Sequence, residues 1–259
     1  MFRSRVLLFC LSASLASIAF AQTTTTAVTK DPQAMALAAR SLLAMGGQQT
    51  IADSRATGIL TLASDPSSAL PIVLESQGTH KARTVIQRAN GASVRVMNGG
   101  SAGLRRGDGS TRMLLSKNSL GERITYIPAM SLLSEFQNAN VEVTLGSAPN
   151  TFTLSYIPDF TKADFYRAAT KTTYTMDPAT GAVASMDVTN FAEDNPGSGV
   201  PERTVFFDYR LVNGVMVPFH QTGYMNGKLQ FDLTLDSVAF NVGVPDADFV
   251  VPTAVTNAQ

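Results

Sequence analysis

The clearest structural pattern lies in residues 206–252, which read FFDYRLVNGVMVPFHQTGYMNGKLQFDLTLDSVAFNVGVPDADFVVP. Apolar and polar residues alternate here, and Asn213-Gly214 and Asn226-Gly227 each separate two alternating runs. An Asn-Gly pair between alternating runs is a strong signal for a tight hairpin, because both residues accept a positive φ. Residues 203–235 therefore predict three consecutive antiparallel strands joined by two tight turns.

The same period of two continues upstream, beginning near residue 55. Strand-like runs separated by turn signals cover residues 55–63, 71–77, 81–88, 92–97, 112–115, 141–145, 151–157, 165–176 and 182–191. Strands and helices do not alternate, which argues against a doubly wound parallel sheet. We predict an α+β fold, mainly antiparallel β, with about 10–11 strands, and a sheet of so many strands must either twist and curl or split into two.

Two segments have helical character. Asp31 is a suitable N-cap, Pro32 suits the first helical position, and Gly46-Gly47 supplies a stop. Apolar residues recur between these signals at helical spacing, so this helix has one face to bury. A second, weaker helix is predicted at Pro128–Gln137, because Pro128 can open it and Met130, Leu133 and Phe136 give it an apolar face.

The N-terminus has the pattern of a signal peptide. Arg3 and Arg5 precede an apolar stretch that ends in Ala19-Phe20-Ala21, so cleavage is predicted between Ala21 and Gln22. The stretch is short for a bilayer span, which argues against a transmembrane anchor. We predict a signal peptide at 1–21, a loose leader at 22–30, one domain at 31–252 and a tail at 253–259. The expected location is the periplasm or outside the cell.

Composition excludes several classes of protein. The chain has 259 residues, 20 basic and 20 acidic, with one Cys and two His. A nucleic-acid binder needs a basic excess, which is absent. A disulfide framework is excluded, and too few Cys and His remain for a zinc site. We expect no cofactor and no metal.

One motif in the sequence fits either a catalytic serine or a Gly-rich turn. Gly99-Gly100-Ser101-Ala102-Gly103 matches G-x-S-x-G, and Asp208 and His220 follow in the order of a hydrolase triad. A nucleophile elbow needs a helix directly after the serine, whereas residues 104–109 form a poor helix. A Gly-rich hairpin is favoured, so the protein is predicted not to be an enzyme, with a serine esterase using Ser101 as a remote alternative.

Other polar groups carry weaker hypotheses. His80 and His220 are far apart in sequence, and each is more typical of a strand or surface histidine than of a metal ligand. The acidic segments 193–195 and 246–248 lack the ligand spacing of a calcium loop. Arginines 105, 106 and 112 can grip a lipid phosphate or a carboxylate, although a solvated hairpin tip explains them as well.

The C-terminal segment resembles the corresponding part of LolA/LolB-like periplasmic lipoprotein carriers. The shared features are a hairpin followed by Val217-Pro218-Phe219, a long alternating strand, and an ending formed by Asn241, Asp246, Phe249 and Pro252. The early helix and the Gly-rich hairpin at 98–109 fit the same layout. This resemblance implies a strongly curved, incompletely closed barrel with helices in its mouth, over an apolar cavity that accepts acyl chains.

These observations predict an exported, non-catalytic carrier or sensor that binds lipid or lipoprotein acyl chains. Its partner is a lipid or an acylated protein, and no nucleic acid. The alternative is a cell-envelope module that binds another protein through its sheet edge or lid and takes no small ligand. Separately, a dry, packed core is the alternative to a cavity inside the sheet. The residues predicted to line the cavity, including lid residues of the second helix, are Leu60, Leu62, Val94, Val96, Met130, Leu133, Phe136, Leu154, Tyr156, Phe207, Tyr209, Phe219, Phe231 and Leu233.

Overall fold

The structure is a computed structural model that describes residues 28–47, 49–121, 126–192 and 195–253. The predicted signal peptide, most of the leader and the tail beyond residue 253 lie outside the described residues, as do two of the three residues in the acidic segment 193–195. Within the described part, no helix is both long and apolar enough to cross a bilayer.

The described residues form four α-helices and 13 strands. The helices are α1 Pro32–Ala44, α2 Ser116–Gly121, α3 Pro128–Gln137 and α4 Ala163–Thr170. The strands are β1 Asp53–Leu62, β2 Asp65–Gln77, β3 Lys81–Arg88, β4 Gly91–Asn98, β5 Ser101–Arg105, β6 Thr111–Met113, β7 Val141–Leu145, β8 Thr151–Tyr156, β9 Thr172–Met176, β10 Val183–Phe191, β11 Gly199–Val212, β12 Val215–Met225 and β13 Lys228–Phe240. Short 3₁₀ turns cover Phe160–Lys162 and Asp246–Phe249.

All 13 strands belong to one antiparallel sheet in the order β6-β5-β4-β3-β2-β1-β13-β12-β11-β10-β9-β8-β7. The sheet does not close on itself, since β6 and β7 are its two edges. The predicted class, an incompletely closed antiparallel barrel with helices in its mouth, is confirmed. The strand count exceeds the predicted about 10–11, and β5, which lies in the Gly-rich segment, is one strand that the alternation did not indicate.

Helix α1 starts and ends where the sequence predicts. The Asp31 carboxylate accepts hydrogen bonds from the N–H groups of Gln33 and Ala34, both at 2.9 Å. Its buried face, which includes Ala34, Ala38 and Leu42, packs into the concave side of the sheet. Just before the helix, Lys30 forms a parallel bridge with Val143 on the edge strand β7, so the end of the predicted leader covers part of that edge.

The predicted strand at 165–176 is wrong in its first half, which is helix α4. The Asp159 carboxylate accepts from the N–H of Thr161 at 2.9 Å and begins the 3₁₀ turn that leads into α4. The Thr170 hydroxyl then joins the helix end to β8 by accepting from the N–H of Tyr156 at 2.8 Å. Local capping therefore outweighs a weak alternation, and only Thr172–Met176 remains a strand.

The C-terminal segment forms a second apolar core on the convex face of the sheet. Phe249 is fully buried there and packs with Val85, Val94, Val96 and Val244. The Asn98 side-chain amide donates to the Phe249 carbonyl at 3.2 Å, and the Thr111 hydroxyl donates to the Thr253 carbonyl at 2.7 Å. The Asp-x-x-Phe-x-x-Pro ending therefore serves to cover strands β3–β5.

Candidate functional site

Two cavities lie inside the curve of the sheet. The first, which we call the concave cavity, has a volume of about 500 Å³ and lies against the inward face of β1–β4 and of β10–β13. The second, the mouth cavity, has about 450 Å³ and lies among α2, α3 and the β4–β5 turn. Met97 borders both cavities. Both volumes fall within the range of roughly 300–1,000 Å³ that is typical of small-ligand sites.

Four of the predicted lining residues border these cavities. Leu60, Phe231 and Leu233 line the concave cavity, and Tyr156 lines the mouth cavity. Seven others border neither, because they belong to the packed core or lie against it: Met130, Leu154, Phe219, Leu62, Leu133, Phe136 and Tyr209. The interior therefore contains both a solid core beneath α1 and open space beside it.

The structure corrects the predicted placement of Val94 and Val96. On β4 the inward positions are Ser93, Arg95 and Met97, all of which line the concave cavity. Val94 and Val96 point to the convex face, where the C-terminal segment buries them. Alternation shows which residues share a face, but the apolar face was assumed to be the inner one. Here the C-terminal segment covers the outer face of β4, so the apolar residues of this strand lie on its outer face.

Phe207 is also on the wrong side for a lining residue. It is 44% exposed and stacks on His220, with ring centroids 5.2 Å apart, while its neighbour Phe206 is the buried one. Asp208, the next residue of β11, adopts φ 50°. Beyond that point Tyr209 turns toward the core, and its hydroxyl donates to the Val183 carbonyl at 2.7 Å.

Polar groups that sequence reasoning missed lie among the apolar residues of the concave cavity. They include Arg88 and Arg95 on one wall and Glu202 and Gln221 on the other. Burial lowers the pKa of the Arg95 guanidinium through desolvation; the charge of Glu202 opposes this, and that of Arg112 adds to it. The available sequence signal was the alternation in β4, which places Arg95 on the same face as Ser93 and Met97.

A buried hydroxyl cluster joins the segment before α3 to the sheet. Ser54 on β1 contacts both Ser76 on β2 and the Tyr126 hydroxyl, the latter at 2.8 Å. Burial raises the pKa of Tyr126 to about 12, and hydrogen bonds from the two serines oppose that rise. The cluster thus holds Tyr126, which lies two positions before α3, against the sheet. Helix α3 in turn borders the mouth cavity.

The raised pKa of Tyr126 predicts a loss of stability in alkali. The unfolded chain releases the tyrosine proton near pH 10, whereas the native state holds it to about pH 12. The raised pKa therefore contributes about 2 kcal/mol to the free energy of unfolding below pH 10, and this contribution is lost as the pH rises to about 12. We expect Tyr126→Phe to flatten this decline in urea unfolding, with the half-exposed Tyr224→Phe as control. Superimposable profiles for wild type and Tyr126→Phe contradict the prediction.

The remaining chemical candidates are scattered and do not form one site. Ser101 is exposed at the first position of β5, so a strand follows it and not a helix. His80 borders the mouth cavity, whereas His220 pairs with Asp232 at 2.9 Å on the outer face. Asp246 forms an ion pair with Lys81. Among the described residues, no three His, Cys, Asp or Glu side chains are grouped so that they could hold a metal.

We compared the sequence and the structure with those of known proteins. No protein-family model matches the sequence, and no curated protein is significantly similar to it. Among solved structures, an outer membrane lipoprotein-sorting protein domain from Vibrio parahaemolyticus aligns with a TM-score of 0.52 and 17% identity, over 83% of this chain and 95% of its own. A DUF1329 family protein from Desulfovibrio piger aligns with a TM-score of 0.54 and 12% identity, over 85% and 98% of the two chains.

A LolA superfamily protein from Nitrosomonas europaea is also similar, with a TM-score of 0.49 and 12% identity, over 84% of this chain and 97% of its own. The two likenesses above 0.5 establish the fold. The chain shares the fold of an outer membrane lipoprotein-sorting protein domain, and the resemblance that the sequence indicates is confirmed at the level of the fold.

Proposed function

We propose that the protein is an exported, non-catalytic carrier or sensor that binds the acyl chains of lipids or lipoproteins in the concave cavity. The observation that carries the proposal is the cavity itself: about 500 Å³ of space lined by apolar side chains such as Leu60, Ile72 and Leu233. The sequence left open whether the interior is hollow or solid, and a solid interior would have removed the basis for a carrier.

The energetics of an acyl guest suit reversible binding. Burying about ten methylene groups contributes about 8 kcal/mol, at about 0.8 kcal/mol each. Association and ordering offset about 4 kcal/mol or more of that gain. The remainder of about 4 kcal/mol corresponds to a dissociation constant of about 1 mM, so burial of the chain alone gives readily reversible binding.

The fold and the N-terminal sequence also support the proposal, the first for the class of ligand and the second for the location. One structure with this fold is an outer membrane lipoprotein-sorting protein domain, whose cargo class agrees with an acyl-binding role. The pattern at residues 1–21 supports export to the periplasm or beyond. A lipid or an acylated protein is the partner that we propose.

A matched pair of Thr→Phe variants tests the role of the concave cavity. Thr84 lines the cavity, whereas Thr234 is exposed on the other face of the sheet. We expect Thr84→Phe to weaken binding of a dansyl-labelled undecanoate about tenfold, because the ring occupies space that the chain needs. Thr234→Phe is expected to leave the fluorescence titration within twofold of wild type.

Native mass spectrometry of the protein after mild extraction provides an independent measurement. A carrier is expected to bring a co-purified species of acyl-chain mass, and Thr84→Phe is expected to reduce its occupancy. Wild-type protein that is folded, carries no such species and fails to bind the dansyl probe contradicts the proposal. That outcome favours the envelope-protein interaction module.

A further inference from the structure

The concave cavity and the mouth cavity lie along the same face of the sheet. On β3, the inward positions Thr84 and Ala82 line the concave cavity, and the next position of that face, His80, lines the mouth cavity. On β4, Met97 borders both cavities, and Gly99, two residues further along, lines the mouth cavity. The two cavities are therefore successive parts of one groove that runs along β3 and β4.

The concave part of this groove has a solvent end and an inner end. Arg88, the last residue of β3, lines the concave cavity and is exposed, so the cavity meets solvent there. At about 3.3 Å per residue, the distance along β3 from Arg88 to Ala82 is roughly 20 Å. Leu74 and Ile86 line the wall between these two positions. An alkyl chain that keeps its polar group at the solvent end therefore points its methyl group toward Met97.

Met97 is the long side chain in a cross-strand row of small ones. Its partners in the row are Ala102 on β5 and Ala82 on β3, and Ala82 in turn pairs with Ser76 on β2. Tyr126, which is buried, lies over the serine end of the row and also lines the concave cavity. Met97 is buried as well, with 6% exposed. Its side chain therefore supplies the bulk that separates the two cavities at the alanine end of the row.

The position of Met97 limits how much a ligand gains from a longer chain. Each methylene group that becomes buried tightens binding by up to about fourfold. A chain that already reaches Met97 has no apolar space ahead of it, because the mouth cavity lies on the other side of that side chain. Additional carbons must then stay in solvent or bend back, and the gain in affinity stops.

We propose that Met97 sets the length of the acyl chain that the protein binds. A single straight chain lies in the concave cavity, with its polar group at the solvent end beside Arg88 and its terminal methyl group against Met97. Removal of the Met97 side chain joins the concave cavity to the mouth cavity and admits longer chains. This inference rests on the proposed acyl-binding function and adds to it the residue that determines the length of the ligand.

A series of saturated fatty acids from octanoate to stearate tests this proposal. Their dissociation constants are measured by displacement of the dansyl-labelled undecanoate, at concentrations below those at which micelles form. In wild-type protein we expect the affinity to rise with chain length and then to stay constant within twofold beyond a limiting length. In Met97→Ala the limiting length is expected to increase by about four carbons or more, because the mouth cavity of about 450 Å³ becomes available.

Met186 on β10 provides a matched control. It lines the concave cavity and is buried, with 3% exposed, but it is not among the described residues that line the mouth cavity. Met186→Ala deletes the same atoms as Met97→Ala and enlarges the concave cavity without joining it to the mouth cavity. Its limiting length is therefore expected to lie within about two carbons of the wild-type value.

A measurement on the wild-type protein does not depend on the folding of a variant, which matters because deletion of a buried side chain lowers stability. The methionine methyl groups are labelled with carbon-13, and a fatty acid of the limiting length is added. We expect a nuclear Overhauser contact between the terminal methyl group of the ligand and the methyl group of Met97. Met113, which is 43% exposed on the outer face of the sheet, is expected to show no such contact.

The outcomes separate this inference from the proposed function. The role of Met97 is overturned if the wild-type affinity rises throughout the series, or if folded Met97→Ala keeps the wild-type limit. It is also overturned if Met186→Ala shifts the limit as far as Met97→Ala does, or if the ligand makes no contact with Met97. Each of these results leaves the acyl carrier intact, since fatty acids still bind. Failure of the wild-type protein to bind any member of the series overturns both.

Discussion

Replacement of Phe249 by Ala is expected to lower the free energy of unfolding by about 4 kcal/mol. The Phe249 ring is fully buried and is the largest side chain of the convex-face core, where it covers Val85, Val94 and Val96. Its removal leaves a cavity and also loosens the segment that the Asn98 and Thr111 side chains hold in place. Strands β3–β5, which carry Arg88 and Arg95, lose their outer cover.

Urea unfolding monitored by circular dichroism measures this effect. Val250→Ala is the matched control, because Val250 is the next residue and is 71% exposed, so a change within about 0.5 kcal/mol is expected. Equal stabilities of the two variants are incompatible with a convex core centred on Phe249.

Replacement of Glu75 by Ala is expected to cost about 3 kcal/mol. The Glu75 carboxylate is almost fully buried and accepts from Arg55 at 2.7 Å and from Arg83 at 2.5 Å. These three residues form a cross-strand row on β1, β2 and β3. Without the carboxylate, two guanidinium groups remain adjacent with no opposite charge between them.

The control for Glu75 is an ion pair of the same type in an exposed place. Asp187 on β10 accepts from Arg203 on β11 at 2.6 Å, with side chains 31% and 56% exposed. Asp187→Ala is expected to cost less than about 1 kcal/mol, because solvent screens such a pair. Thermal unfolding at low and high salt compares the two, and a similar cost for both variants is evidence against the importance of burial at Glu75.

The two C-terminal hairpins were predictable because the residues of their turns determine the backbone conformation there. Asn213 and Gly214 both adopt positive φ, as do Asn226 and Gly227. The cap and stop of α1 were equally local signals. By contrast, α4 depends on contacts with β8 and on a capping turn at Asp159, and neither produces a long apolar period.

The candidate site was predicted less well than the fold, for a physical reason. Alternation identifies the residues that share a face, but it does not show which face is concave. Val94 and Val96 were assigned inward because they are apolar, although the C-terminal segment makes the outer face of β4 equally apolar. Arg95 was therefore overlooked, and only the curvature of the whole sheet brings it to the same cavity as Gln221.

The centre of the sheet has a consequence for how the chain is made. Its middle pairing joins β1 to β13, the first strand of the domain to the last. A nascent chain lacks this contact until almost the whole domain has been synthesised, and a pairing between such distant segments forms slowly. The sheet thus stays incomplete while the chain emerges from the ribosome, which agrees with the export that we propose.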